Sequence, residues 1–292
     1  MRKAKVAAIQ MGCFNSVEKN INNADRLVRE AAANGANIIL LQELFENYYF
    51  CKIEKLEYYL LAKSVEENDA VKHFSKLAAE LNIVIPISIY EKCNNARYNS
   101  VVMIDTDGTL MGTYRKSHIP DGPGYEEKFY FNPGDTGFKV WKTKFGNIGV
   151  GICWDQWFPE PARAMTILGA DILLYPTAIG SEPEVVEMDS KDHWQRCMQG
   201  HAAANIVPIV AANRIGTETD GNITLNFYGS SFITDSKGKI IAEASRDKEE
   251  ILYADFDFDQ VELDRLDWGV FRDRRPELYD VLKTSDGIHK SK

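Results

Sequence analysis

With 292 residues, 45% of them hydrophobic and 26% charged, the chain has the composition of a globular protein able to bury a substantial core. Its formal net charge of -9 argues against general affinity for nucleic acid or for an anionic membrane surface, and is compatible with a cationic substrate. The five cysteines are dispersed and form no CxxC pair, no apolar run approaches the roughly 20 residues of a membrane helix, and the N-terminal stretch lacks the long apolar core of a secretion signal. A soluble, cytoplasmic protein with reduced thiols is therefore expected.

Residues 5–10 read as a first strand. Ser16 then suits a helix N-cap, and Val17, Ile21, Ala24, Val28 and Ala31 recur at helical spacing until Asn34-Gly35 stops the helix. The run ANIILL, 36–41, is continuously apolar, as a buried strand should be. Val71, Phe74, Leu77, Ala78 and Leu81 predict a second helix over about 69–81, and 83–90 is a strand again. Segments 100–105 and 110–114 flank Asp107-Gly108 as a hairpin, and Asn132-Pro133-Gly134-Asp135 marks a loop. A strand over 147–152 runs into Cys153, and Pro159-Glu160-Pro161 opens a helix through Leu168. A strand at 171–175, a helix capped by Asp189 or Ser190 and running to about Asn205, and a strand at 206–212 follow. A second hairpin turns at Ser236-Lys237-Gly238. The tail after Val261 is charged and mixed, with Trp268, Phe271 and Tyr279 as its expected apolar anchors. No repeat, linker or low-complexity tract intervenes. The pattern predicts an α/β protein of mixed sheets with helices on their outer faces, layered as a single domain.

Three polar positions fall at or just past predicted strand ends. Cys153 closes a strand in which Gly146, Gly149 and Gly151 permit close backbone approach. A free thiol has a pKa of about 8.5 and needs a base or a positive field to become a good nucleophile; taken alone, such a cysteine is more often a small buried apolar residue. Glu43 ends the apolar run in LQELFE, where desolvation can raise its pKa toward that of a general base, although a lone glutamate is more often a solvated loop acid. Lys116 lies in YRKSHIP just past a hairpin strand, and alone it reads as a surface lysine. His118 in the same loop offers a competing Cys–His arrangement. The histidines at 73, 118, 193, 201 and 289 show no HExxH pairing and no clustering with cysteines, so no metal or other cofactor is expected.

Together the motifs say more. A glutamate at a strand end, then Arg-Lys-x-His-hydrophobic-Pro, then Gly-x-Cys-x-Asp followed by Phe-Pro-Glu, in that order, resembles the nitrilase, or carbon–nitrogen hydrolase, superfamily. The match runs from Val6 to about Leu282, so a hydrolase domain over 1–282 and a short tail, 283–292, are expected. The resemblance implies a four-layer α-β-β-α sandwich carrying a Glu-Lys-Cys triad. Carried onto this sequence, Glu43 is the general base, Lys116 stabilises the tetrahedral intermediate and Cys153 is the nucleophile. It also implies a second glutamate ahead of an aromatic-Pro-Gly stretch, matched by Glu127 with Glu126 adjacent. The physics is consistent: an ammonium lowers the pKa of a nearby thiol and a carboxylate accepts its proton. The same ammonium, with the backbone N–H of Trp154, can act on the oxyanion, where losing one donor costs about 100- to 1000-fold in rate. The family tends to form dimers and larger homo-oligomers.

Within the superfamily, the stretches 118–125, 127–138, 153–160, 177–183 and 268–276 are similar to the branch acting on carbamoylated diamines. Relatives that take N-carbamoyl amino acids place basic residues just after the nucleophile; here those positions are Gln156 and Trp157. Instead, Glu182, Glu184, Glu187, Asp189 and Asp192 follow the strand at 171–175, opposed only by Lys191. Glu182, nearest the strand, is the expected partner of a substrate ammonium. Trp154, Trp157 and Tyr48 are candidates to pack on its methylene chain, with core packing the alternative for each. The same triad acting on 3-ureidopropionate, an ω-amide or a nitrile is the alternative chemistry. An inactive interaction protein on the same fold is the alternative of another class.

Overall fold

The computed structural model describes residues 2–185 and 187–288; His289 and the end of the 283–292 tail lie outside the described residues. In chain order the elements are β1 (Lys3–Gly12), α1 (Val17–Ala33), β2 (Ile38–Leu40), α2 (Asp69–Leu81), β3 (Ile85–Cys93), β4 (Ala96–Ile104), β5 (Leu110–Arg115), a one-turn α3 (Glu127–Tyr130), β6 (Val140–Thr143), β7 (Gly146–Val150), α4 (Pro159–Ile167), β8 (Ile172–Pro176), α5 (Lys191–Asn205), β9 (Ile209–Ala212), β10 (Arg214–Asp220), β11 (Ile223–Tyr228), β12 (Phe232–Thr234), β13 (Ile240–Glu243), β14 (Glu250–Asp257) and α6 (Phe258–Trp268).

Local chemistry sets the helices. Ser16 Oγ accepts the N–H of Lys19 at the start of α1, and Asn68 Oδ1 accepts that of Val71 at the start of α2, each satisfying an orphan donor. Their apolar stripes, Ile21, Leu27 and Val28 on α1 and Val71, Phe74 and Leu77 on α2, pack on Ile9, Ile39, Ile85 and Ile87 of one sheet. That sheet is mixed: β14 pairs antiparallel with β1, and β1 pairs parallel with β2. A parallel bridge between Ile38 and Val84 joins β2 to the β3-β4-β5 meander. The second sheet runs β13-β12-β9-β8-β7-β6, with β7, β8 and β9 parallel. Its outer face carries α4 and α5 through Ala162, Met165, Trp194 and Met198 against Leu173 and Ile209. Between the sheets Val6, Ala8, Leu40, Val101 and Met103 meet Ile148, Val150, Ile172, Leu174 and Val210. The result is a four-layer α-β-β-α sandwich, in one unit, as expected.

Departures from the expected pattern have physical causes. The hairpin β10–β11 and strand β14 escape sequence reading because their segments, RIGTETDGNITLNFY and EILYADFD, carry polar and charged residues at nearly every other position. Helix α6 buries only Phe258 and Val261 and so has no stripe to detect. Trp268, expected as an anchor, is 71% exposed at the last position of α6, where Gly269 turns the chain left-handed; Tyr279 is also exposed, and Phe271 is half-buried under the guanidiniums of Arg163 and Arg265. Among the described residues no helix is long and apolar enough to cross a membrane.

Candidate active site

β7 delivers Cys153 to the end of the inner sheet and then stops abruptly. Cys153 has φ +41°, a left-handed conformation that costs a non-glycine residue energy and survives only where its surroundings enforce it. Asp155 enforces it. Its Oδ2 accepts the N–H of Ile152 (2.9 Å) and the hydroxyl of Tyr114 (2.8 Å), while its Oδ1 accepts from the backbone N of His118 (3.0 Å) and pairs with His118 Nδ1 (2.7 Å). The imidazole also stacks on Phe158 with ring centroids 3.9 Å apart. His118 therefore serves the backbone turn through Asp155, which disposes of the Cys–His alternative.

Lys116 follows β5 and is fully buried. Its Nζ lies 2.8 Å from Glu43 Oε1 and 2.6 Å from Glu127 Oε2. Burial works against the ammonium, but the two carboxylates outweigh it and hold its pKa well above the ordinary lysine value. Glu43, just beyond β2, takes a second hydrogen bond on Oε1 from Asn99 Nδ2 (2.7 Å). Its Oε2 is buried without a hydrogen-bond partner among the described residues. Glu127 Oε1 accepts the hydroxyl of Tyr49 (2.8 Å). Burial pushes the Glu127 carboxyl up to about 7 against the pull of Lys116. Burial likewise pushes the Cys153 thiol well above its ordinary value; Glu43 adds to this and Lys116 opposes it. The resting thiol is thus neutral at pH 7, and its proton must leave as sulfur attacks. A carboxylate with a free oxygen meets that need.

Cys153 and Glu127 line a cavity of about 280 Å³ together with Tyr125, Trp154, Trp157 and Glu182. Of the residues singled out from sequence, Glu43, Lys116, Glu127 and Cys153 form one electrostatic cluster, and Trp154, Trp157 and Glu182 share the cavity. Tyr48 does not reach it. The ring lies in a separate pocket with Asn15, Tyr58 and Asp220, its hydroxyl taking the N–H of Thr219 at 3.3 Å. The reason is parity: Tyr49 has extended backbone, successive side chains there point to opposite sides, and Tyr49 is the residue that turns inward onto Glu127. Sequence reading also missed Asn99 and Tyr125, whose hydroxyl accepts from Gly180 N (3.0 Å) and donates to Ser181 O (3.1 Å), closing one wall. Asn99 falls just before the strand expected at 100–105 and carries no local signal; Tyr125 ends the 118–125 stretch, whose resemblance gave it no role. Gly124 stands opposite that wall, where a Cβ would come within 2.9 Å of Pro183. Among the described residues no three His, Cys, Asp or Glu side chains gather as metal ligands.

A buried thiol served by glutamate and lysine, on an α-β-β-α sandwich, is the arrangement of the thiol-dependent carbon–nitrogen hydrolases. The carbon-nitrogen hydrolase family matches residues 5–265, and the chain belongs to that family. It is 57% identical over 289 residues to an N-carbamoylputrescine amidase of Oryza sativa subsp. japonica, spanning 98% of this chain and 96% of the relative. It is 56% identical over 282 residues to a citrullinase of Francisella tularensis subsp. tularensis, spanning 97% and 99%. A crystal structure of a carbon-nitrogen hydrolase from Helicobacter pylori G27, 38% identical, matches with a TM-score of 0.91 over 97% of this chain and 99% of that one.

Proposed function

We propose that the chain hydrolyses N-carbamoylputrescine to putrescine, carbon dioxide and ammonia through an S-carbamoyl enzyme. Cys153 Sγ attacks the ureido carbonyl carbon while its proton passes to Glu43. Lys116 and the Trp154 N–H stabilise the resulting oxyanion. Collapse breaks the bond to the substituted nitrogen, which leaves as the amine with the proton held by Glu43. Water, deprotonated by Glu43, then cleaves the thioester-like bond, and the carbamate released breaks down to carbon dioxide and ammonia. Glu127 holds Lys116 in place through this cycle by a charge-assisted hydrogen bond.

The observation that carries the substrate reading is the charge of the cavity. Its lining includes Asp121 and Glu182 and, among the described residues, no lysine or arginine. Asp121 has Lys128 4.0 Å away, but Glu182 has no ion-pair partner among the described residues, and burial raises its carboxyl above the ordinary value. A terminal ammonium fits this lining; a terminal carboxylate, as in 3-ureidopropionate, does not, and citrulline, with a carboxylate beside its α-ammonium, fits it less well than the diamine derivative. Trp154 and Trp157, with ring centroids 6.1 Å apart, offer faces to the methylene chain. The test is kcat/KM for N-carbamoylputrescine, 3-ureidopropionate, L-citrulline and a neutral N-alkylurea, on the wild type and on Glu182→Gln. Preference for the diamine derivative, and a KM raised about tenfold by the substitution for that substrate alone, are expected, since a charge-assisted contact contributes roughly 1.5–3 kcal/mol and 1.4 kcal/mol is one decade. Equal or better turnover of 3-ureidopropionate or citrulline would overturn the assignment. The same reading places the enzyme in the cytoplasm as a homo-oligomer. Exposed Ile167, Leu168, Trp268 and Leu282 support the oligomer, and sedimentation tests it.

A further inference from the structure

The groups that do chemistry come from three separate segments: Cys153 opens a short 3-10 turn, Cys153–Trp157, but Glu43 and Lys116 stand in irregular chain. Glu43 stands immediately before Leu44, whose φ is +48°, and the chain from there to the short turn Phe50–Lys52 is irregular. Something must hold it: Ser88 takes the N–H of Leu44 and Asn20 donates to the carbonyl of Glu46, and most of the remaining side-chain bonds come from β10. Arg214 is fully buried. Its Nη2 donates to the carbonyl oxygens of Glu43 (3.1 Å) and Leu44 (3.0 Å), and its Nη1 to that of Asn47 (3.1 Å) and to Glu218 Oε1 (2.7 Å). Glu218, four residues along the same strand and equally buried, uses Oε2 to accept the N–H of Tyr49 (2.6 Å) and the ammonium of Lys52 (3.2 Å). Tyr49 in turn donates to Glu127. Asn213, the preceding residue, grips the opposite wall: its side chain bonds both N and O of Ile179 at 3.0 Å, beside the Ala178 carbonyl that lies 3.9 Å from Cys153 Sγ.

We propose that the Arg214–Glu218 pair is a positioning device for the catalytic glutamates. Arg214 fixes the left-handed turn that presents Glu43, and Glu218 fixes the Tyr49 backbone that steadies Glu127. A planar guanidinium holds three carbonyls of one turn and the Glu218 carboxylate at once from a rigid fork; an ammonium has only three donors, clustered on one atom. A buried ion pair is weak support for stability by itself, since desolvating two charges offsets much of their attraction. Its geometry here, aimed at main-chain atoms on either side of Glu43, gives it a different task. This inference rests on the Glu43, Lys116 and Cys153 reading and adds two residues that touch neither substrate nor thiol.

The test uses Arg214→Lys, which keeps the charge and loses the fork, and Glu218→Gln, which keeps an oxygen for Tyr49 and loses the charge. Turnover is measured per Cys153 thiol whose iodoacetamide labelling, read on its own peptide apart from the other four cysteines, is blocked by substrate, so that misfolded molecules drop out of the count. In folded Arg214→Lys, kcat per titrated thiol is expected to fall about 100-fold with KM within about threefold. The rate of Cys153 alkylation at pH 7 is expected to fall about tenfold, its pH profile moving upward as the thiol loses its base. Glu218→Gln should move the same quantities in the same direction by less. If a folded variant keeps kcat per thiol within threefold of wild type, or if neither variant folds, the pair serves only the fold and the proposal is overturned. The underlying triad fails on a different result, retention of turnover by Cys153→Ala.

Discussion

Burial holds the Glu127 carboxyl at about 7, and the ionised form is the one that helps neutralise Lys116. As pH falls through 7 the carboxyl takes a proton and Lys116 loses one of its two counter-charges. kcat/KM for the wild type should therefore show an acid limb near pH 7, belonging to the Glu43–Lys116–Glu127 cluster as a whole. Glu127→Gln should lower kcat by about 100-fold and flatten that limb; the same limb in the variant would refute the role. Cys153→Ala should abolish turnover with little change in Tm, because alanine carries the same left-handed penalty as cysteine and adds no bulk. Glu46 gives a stability test. It is buried, with Asn68 Nδ2 at 2.9 Å, and burial raises its carboxyl from 4.5 to about 7. The folded pKa exceeds the unfolded one, so its contribution to stability is complete below about 4.5 and is lost as pH rises through 7. Glu46→Gln, which never ionises, should raise Tm at pH 8.5 by roughly 3–6 °C, from about 2–3 kcal/mol, with the gain shrinking steadily toward pH 5. A pH-independent difference would contradict this. Side chains of this kind mark the limit of legibility in sequence. Glu43, Lys116 and Cys153 were marked by motif order, but Tyr49 and Arg214 were not, because a tyrosine's direction and an arginine's three carbonyl partners depend on loops that only the fold brings together.

Elements were legible where a segment buries one face or both. The α1 and α2 stripes, the all-apolar β2 and β8, and the hairpin at Asp107-Gly108 all appear near their expected places. β10, β11, β14 and α6 were not legible, since β10 places a buried glutamate and arginine where a strand would ordinarily show apolar residues. One loop can be tested as an element. The 131–135 segment crosses behind Lys116 so closely that a Cβ on Gly134 would stand 2.1 Å from the Arg115 carbonyl oxygen and 2.7 Å from that of Lys116. Backbone cannot yield as a flexible side chain can. Gly134→Ala should destabilise the protein by about 2–3 kcal/mol and cut kcat, because the Arg115-Lys116 peptides must shift. Unchanged Tm and kcat would show that the loop, not Lys116, moves freely.

For the molecule as a whole, composition and periodicity pointed to one layered α/β unit, while the four-layer order came from family resemblance. The sheet partners could not be read, since pairing such as Lys3 with Asp257 joins segments nearly a chain length apart. No grouping of metal-ligating side chains is present among the described residues, and the proposed reaction needs only proton transfers among Glu43, Cys153 and substrate. Exhaustive chelation is expected to leave kcat unchanged, whereas iodoacetamide should abolish it and substrate should protect. Loss of activity on chelation, restored by zinc, would overturn that chemistry.

The pairing of β1 with β14 also has a consequence in time. A ribosome adds about 5–20 residues per second, so β1 waits on the order of ten seconds or more for the strand that covers its flank. During that interval Val6, Ala7, Ala8 and Ile9, all fully buried once folded, lie along an unprotected edge. Glu43, Lys116, Cys153 and Arg214 are all synthesised by then, yet β14 is not. Chains released before Glu250 should therefore be inert and prone to associate through that edge, so that messages truncated late yield aggregates and not slow enzymes.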